Sequence, residues 1–97
     1  MKNEELTLTL LRKIEKAPSQ KSIANELGIS VGKINYVLKA LIEKGLVKAD
    51  NFFANKNKNQ YKYLLTKDGI EQKIILTKKF IARKKAEYEE LQRELEA

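Results

Sequence analysis

The chain has 97 residues, 42% hydrophobic and 34% charged, a composition suited to one globular domain with a single modest core. Its net charge is +7, and it contains neither cysteine nor histidine. Disulfides, thiol chemistry, ordinary zinc sites and histidine-based catalysis are thereby excluded, so no cofactor or metal is expected. No apolar run reaches the roughly eighteen residues that mark a membrane span, and Met1-Lys2-Asn3-Glu4 lacks a signal-peptide pattern. A cytoplasmic location is the expectation.

The first element is a helix capped by Asn3, with Glu4 and Glu5 in its opening turn, where acids favour the helix dipole. Leu6, Leu10 and Ile14 recur at helical spacing, joined by Leu11. Pro18 is expected to end it by pushing Ala17 out of helical geometry. Ser19 or Ser22 caps a second helix with an apolar stripe of Ile23, Ala24 and Leu27. Gly28 then falls where a sharp turn favours positive φ.

Ser30 caps a third helix, whose inward stripe is Ile34, Val37, Leu38 and Leu41 before Gly45 stops it. Its outer face is left to Val31, Gly32, Lys33, Asn35, Tyr36 and Lys39. Small, amide, aromatic and lysine side chains on a capped second helix of such a pair suit the DNA major groove.

LVKAD (46–50) and QYKYLLT (60–66) alternate as strands, with Val47, Ala49, Tyr61, Tyr63 and Leu65 on one face. The asparagine- and lysine-rich segment between them reads as a hairpin tip, and Phe52–Phe53 in tandem points to a bulge or an exposed ring. The fold class is therefore mainly α with a small β-hairpin wing. A winged helix-turn-helix over 1–66 is followed by a long C-terminal dimerisation helix over 67–97, as one compact unit.

That last helix begins near Thr66 or Lys67. Ile70, Ile74, Ile81, Tyr88, Leu91 and Leu95, with Thr77 and Lys84 in the gaps, step by four and three, the spacing of a coiled-coil seam. The expected dimer interface is Ile74, Ile81, Tyr88, Leu91 and Leu95. A second stripe, Leu76 and Phe80, is placed to pack back on the winged domain. The plainer alternative is a solvated helix laced by Arg83–Glu87 and Lys85–Glu89 pairs.

Charge is unevenly spread along the chain. Residues 1–50 carry +3, 51–65 carry three lysines and no acid, 66–85 carry +5 and 86–97 carry −4. Charges kept for solubility are usually mixed in sign, so the acid-free hairpin suggests an anionic partner. On the last helix the order of charge favours antiparallel pairing, with the acidic end of one copy along the basic part of another.

The stretch LGISVGKINYVLKALIEKGLVKADNF (27–52), followed by NKNKNQYKYLLTKDGI (55–70), resembles the short MarR-type winged-helix regulators associated with exopolysaccharide gene clusters. The resemblance covers nearly the whole chain, and GKINYVLKALIEKG is its most specific part. It implies a homodimeric transcription factor acting near polysaccharide biosynthesis genes. It also implies a major-groove helix holding Ser30, Lys33, Asn35 and Tyr36, and a wing at Asn55, Lys56, Asn57, Lys58 and Asn59 on the minor groove or backbone. The chain departs from the family in having no arginine in the wing. It is also shorter than most members, which leaves a small-molecule effector unassigned.

Gln20 and Lys21 at the second helix complete the candidate DNA contacts. Asn35 is the candidate base reader, Lys33 and Lys39 are candidate phosphate clamps, and Tyr36 is alternatively a lid on the core edge. Three function classes compete. A double-stranded DNA-binding regulator explains the helix spacing, the acid-free wing and the dimer helix together. A protein-interaction module would present an apolar or acidic outer face, against which Lys33, Lys39, Lys56 and Lys58 count. An enzyme would need paired carboxylates, a glycine-rich phosphate loop or a metal cluster, and none is present in the sequence.

Overall fold

The computed structural model describes residues 3–16, 19–50 and 62–97. They form α1 (Asn3–Lys13), α2 (Gln20–Leu27), α3 (Val31–Glu43), β1 (Val47–Asp50), β2 (Lys62–Leu65) and α4 (Lys67–Glu96). The expected wing tip at Asn55–Asn59, the tandem Phe52–Phe53, Tyr61 and the helix stop at Ala17–Pro18 lie outside the described residues.

Asn3 falls within α1 as its first residue, one place later than a capping role requires. The helix also ends at Lys13, short of the proline, because the Lys16 N–H turns back to the Lys13 carbonyl at 3.0 Å. That tighter bond closes the last turn. Ser19 is the N-cap of α2, its side chain accepting the Ser22 N–H at 3.1 Å, so of the two serines the first takes the role.

One core joins the elements. Leu6, Leu10, Leu11 and Ile14 from α1 meet Ile23 and Ala24 of α2, Ile34, Leu38 and Leu41 of α3, Val47 of β1 and Leu76 of α4. Val37 and Leu27 from the expected stripes pack at its edge, half-buried. Burying each such leucine, isoleucine or valine contributes about 1.5–3 kcal/mol.

The hairpin is antiparallel, with Val47 opposite Leu65 and Ala49 opposite Tyr63. Tyr63 and Leu65 lean on the core as alternation predicts, whereas Ala49 is exposed. Burial on that face of β1 thus stops at Val47, next to α3.

α4 is seated by a contact with no obvious sequence signature. Its cap Thr66 accepts the Gly69 N–H at 3.0 Å, donates its hydroxyl to the Gly45 carbonyl, and its own N–H bonds the Leu46 carbonyl at 3.1 Å. Gly69 lies against that same carbonyl: a Cβ there would fall 1.9 Å from the Leu46 oxygen. Only glycine lets the helix start this close to the β1 approach.

Beyond that seat, Leu76 and Phe80 are buried, as their stripe predicts. Glu4 of α1 meets Lys79 at 2.9 Å and Arg83 at 3.9 Å. The Lys79 hydrogen bond, aided by the charges of Lys79 and Arg83 and opposed by partial desolvation, holds the Glu4 carboxyl below its ordinary pKa. Arg83 therefore turns to α1 rather than along its own helix to Glu87, which pairs with Lys84 at 3.7 Å. From Ile81 to Ala97 every residue is exposed except the half-buried Arg83, and the molecule extends 62 Å along its longest axis.

Candidate nucleic-acid interface

The turn between α2 and α3 is fixed by backbone chemistry. Gly28 takes a left-handed conformation, φ 67°, and the Ile29 N–H bonds the Ala24 carbonyl at 3.1 Å. Ser30, extended at φ −66° and ψ 149°, caps α3 by accepting the Lys33 N–H at 3.1 Å. The Ile34, Leu38 and Leu41 stripe then locks α3 against the core and fixes which face looks outward.

Ser30, Val31, Gly32, Lys33, Tyr36 and Lys39 are all exposed there, and Asn35 is half-buried on the flank. Tyr36 is 72% exposed, so it does not close the core edge. The Lys33 ammonium lies 5.7 Å from the Tyr36 ring centre, a cation–π contact that holds the charge over the outer face. A Cβ on Gly32 would find only Ser30 Oγ, at 4.0 Å. Internal packing therefore gives no reason for this glycine, although glycine in a helix costs about 1 kcal/mol relative to alanine.

The two α2 candidates differ. Lys21 is exposed, while Gln20 is half-buried and donates its amide to the Tyr63 hydroxyl at 3.1 Å. Gln20 thus ties α2 to the hairpin, a role sequence spacing gave no sign of, since the partners are 43 residues apart. The Lys13–Glu26 ion pair at 2.6 Å similarly ties α1 to α2. Lysines 56 and 58 and their asparagine neighbours fall outside the described residues. Among the described residues, no group of three acidic side chains is placed to hold a metal ion, and no helix is long and apolar enough to cross a membrane.

The five expected interface residues lie along one exposed face of α4: Ile74 is 49% exposed, Ile81 62%, Tyr88 61%, Leu91 63% and Leu95 87%. Ile70 and Ile75 add to this apolar surface. Beside its N-terminal half is a groove of about 290 Å³ lined by Glu15, Leu65, Ile70, Lys73, Ile74 and Thr77. Neither the groove nor Glu15 in its wall is visible from periodicity, because the turn after α1, β2 and α4 converge there only in the folded chain.

A helix pair crossing through a tight turn, a third helix beneath it and a β-hairpin beside it define the fold as a winged helix-turn-helix. Residues 8–48 match the family model described as winged helix-turn-helix DNA-binding. Among solved structures, the chain is similar to Staphylococcus aureus MarR in complex with salicylate and kanamycin, at 24% identity and a TM-score of 0.65. That alignment covers 87% of this chain and 56% of the MarR chain, so the present chain spans little more than half of that relative's length. It is also similar to two point mutants of S. aureus MepR, each at 19% identity over 98% of this chain and 74% of the other. One of these is bound to an oligodeoxyribonucleotide, with a TM-score of 0.67, and the other scores 0.69. The likeness is one of architecture, that of a winged-helix fold. No curated protein matches the sequence.

Proposed function

We propose that the chain is a sequence-specific double-stranded DNA-binding transcriptional regulator that acts as a homodimer on exopolysaccharide biosynthesis genes. The observation that carries DNA binding is the outer face of α3. Behind a serine cap it offers a glycine with no packing role, two exposed lysines, a tyrosine and a flanking asparagine. The free N–H groups of the first turn and the unscreened approach at Gly32 suit a phosphate, and Lys33 and Lys39 add charge to either side. Asn35 is the base reader, through a bidentate amide contact of the kind that selects adenine. Lys21 on α2 and the lysines of the acid-free segment 51–65 extend the phosphate contacts, and the sequence of Asn55–Asn59, outside the described residues, suits a contact with the neighbouring groove. Support for the target genes comes from the resemblance of residues 27–52 and 55–70 to the exopolysaccharide-associated regulators.

A winged-helix module used only for protein contacts is the competing reading, and the basic outer face of α3 weighs against it. The deciding experiment is duplex binding as a function of salt. With about four phosphate contacts per subunit, log affinity should fall with log salt at a slope of roughly −7 for the dimer. Affinity indifferent to salt would remove the DNA reading. Selection of bound sites from genomic DNA then tests the gene assignment, which fails if the enriched sites lie away from polysaccharide clusters.

A further inference from the structure

The groove at the junction of the turn after α1, β2 and α4 borders the proximal part of the apolar seam, and the two ends of that seam differ in shape. Near the body, Ile70 and Ile74 are 50% and 49% exposed, each partly walled in beside Leu65 and Thr77. At the far end, Leu91 and Leu95 are 63% and 87% exposed, on turns whose every residue is exposed. One end is a socket and the other a pair of knobs. Charge divides the same way: residues 66–85 carry +5 and 86–97 carry −4.

We infer that the groove is the docking site for the last two turns of α4 from a second copy of this chain. The inference rests on the dimer reading above and deepens it by fixing the surfaces and the register. A two-fold axis crossing α4 between Ala82 and Arg83 sets Ile70 opposite a second copy's Leu95, Ile74 opposite its Leu91 and Thr77 opposite its Tyr88. Every apolar layer then finds a partner at coiled-coil spacing, and the same operation fills both grooves at once. Lys73, in the groove wall, comes beside a second copy's Glu94 and supplies the opposite charge there, on a wall that also carries Glu15. At the centre Ile81 meets a second copy's Lys84, whose aliphatic stem covers it while its ammonium stays with Glu87. A parallel pair would instead lay acid on acid and leave both grooves open.

The absence of cysteine makes the register directly testable in the full-length chain. Positions 74 and 91 are about 25 Å apart along one helix, too far for a disulfide within a chain. The double variant Ile74→Cys/Leu91→Cys is oxidised with copper–phenanthroline, alongside each single variant, with Ile70→Cys/Leu95→Cys as an independent second pair. All four positions are exposed, so folding is not at stake. The expected result is a covalent dimer from each double variant and from a mixture of the Ile74→Cys and Leu91→Cys chains, with none from either single chain alone. Cross-linking by the single variants would mean a parallel pair and overturn the inference. Dimers in sedimentation that cross-link in neither pair would overturn the groove and its register while leaving the dimer reading standing. A monomer in sedimentation would overturn both, and DNA binding, measured separately, would be judged on its own.

Discussion

Two helices of this protein turn exposed faces to solvent, and their chemistry is opposite. α3 shows Ser30, Gly32, Lys33, Tyr36 and Lys39, whereas α4 shows Ile70, Ile74, Ile81, Tyr88, Leu91 and Leu95. Both elements are amphipathic, yet α3 buries its main apolar stripe within the chain, whereas α4 buries only Leu76 and Phe80 and leaves its longer seam exposed. A polar, cationic outer face remains comfortable in water and suits a hydrated anionic partner. A row of isoleucines and leucines gains only when another apolar surface covers it, since contiguous patches of this kind mark interaction sites. The difference supports different partners for the two faces under the proposed reading: DNA for one and a second chain for the other.

The largest test of that division is truncation after Lys85, which removes Tyr88, Leu91 and Leu95 without touching the core. The shortened chain should sediment as a monomer and bind duplex DNA about 100-fold or more weaker, because one subunit loses the effective concentration supplied by the other. Unchanged affinity from a chain that stays dimeric would break the comparison.

Gly69→Ala tests the seat that sets one helix against the rest of the molecule. The added Cβ collides with the Leu46 carbonyl, so α4 must shift. Overpacking of this sort costs about 1–3 kcal/mol. In a thermal melt a domain of this size loses about 4–8 °C per kcal/mol. An unchanged melting temperature would show that the seat yields without strain.

On the α3 face, Asn35→Ala should relax preference at a single base position by about 1–3 kcal/mol. Lys56→Ala with Lys58→Ala should instead weaken all duplexes alike. Binding to a panel of operator variants separates the two patterns, and a uniform loss for Asn35→Ala would show that it does not read bases.

The smallest effect belongs to Glu4, half-exposed between Lys79 and Arg83. Its folded pKa lies below the unfolded one. The contact therefore stabilises fully above the ordinary carboxylate range and is lost as pH falls through the lower, folded value. Glu4→Gln should lower the melting temperature slightly at neutral pH and make no difference in strong acid. An equal deficit at both pH values would mean that the charge is not the cause.

Local chemistry made much of this legible in advance. Ser30 as a cap, Gly28 in the left-handed turn, the Ile34–Leu38–Leu41 stripe and the Leu76–Phe80 stripe all follow from spacing within one or two helical turns, and the structure has them all. The winged helix-turn-helix itself followed from their order. The end of α1 is less legible: the helix closes at Lys13 with a tight Lys16-to-Lys13 turn, a few residues before the proline.

By itself, then, the sequence determined which residues form helices and strands, which stripes are apolar, and which stretches are basic or acidic, because these depend on neighbours a few positions away. Tertiary structure alone decided that Gly69 must lack a side chain beside Leu46 and that Gln20 is drawn to Tyr63. It also decided that Glu4 gathers Lys79 and Arg83, and that Glu15, Leu65 and Ile74 share a groove. Each of these contacts joins residues distant in the chain. Their proximity is set by how the hydrophobic core orients α1, the hairpin and α4 against one another, which no local pattern encodes.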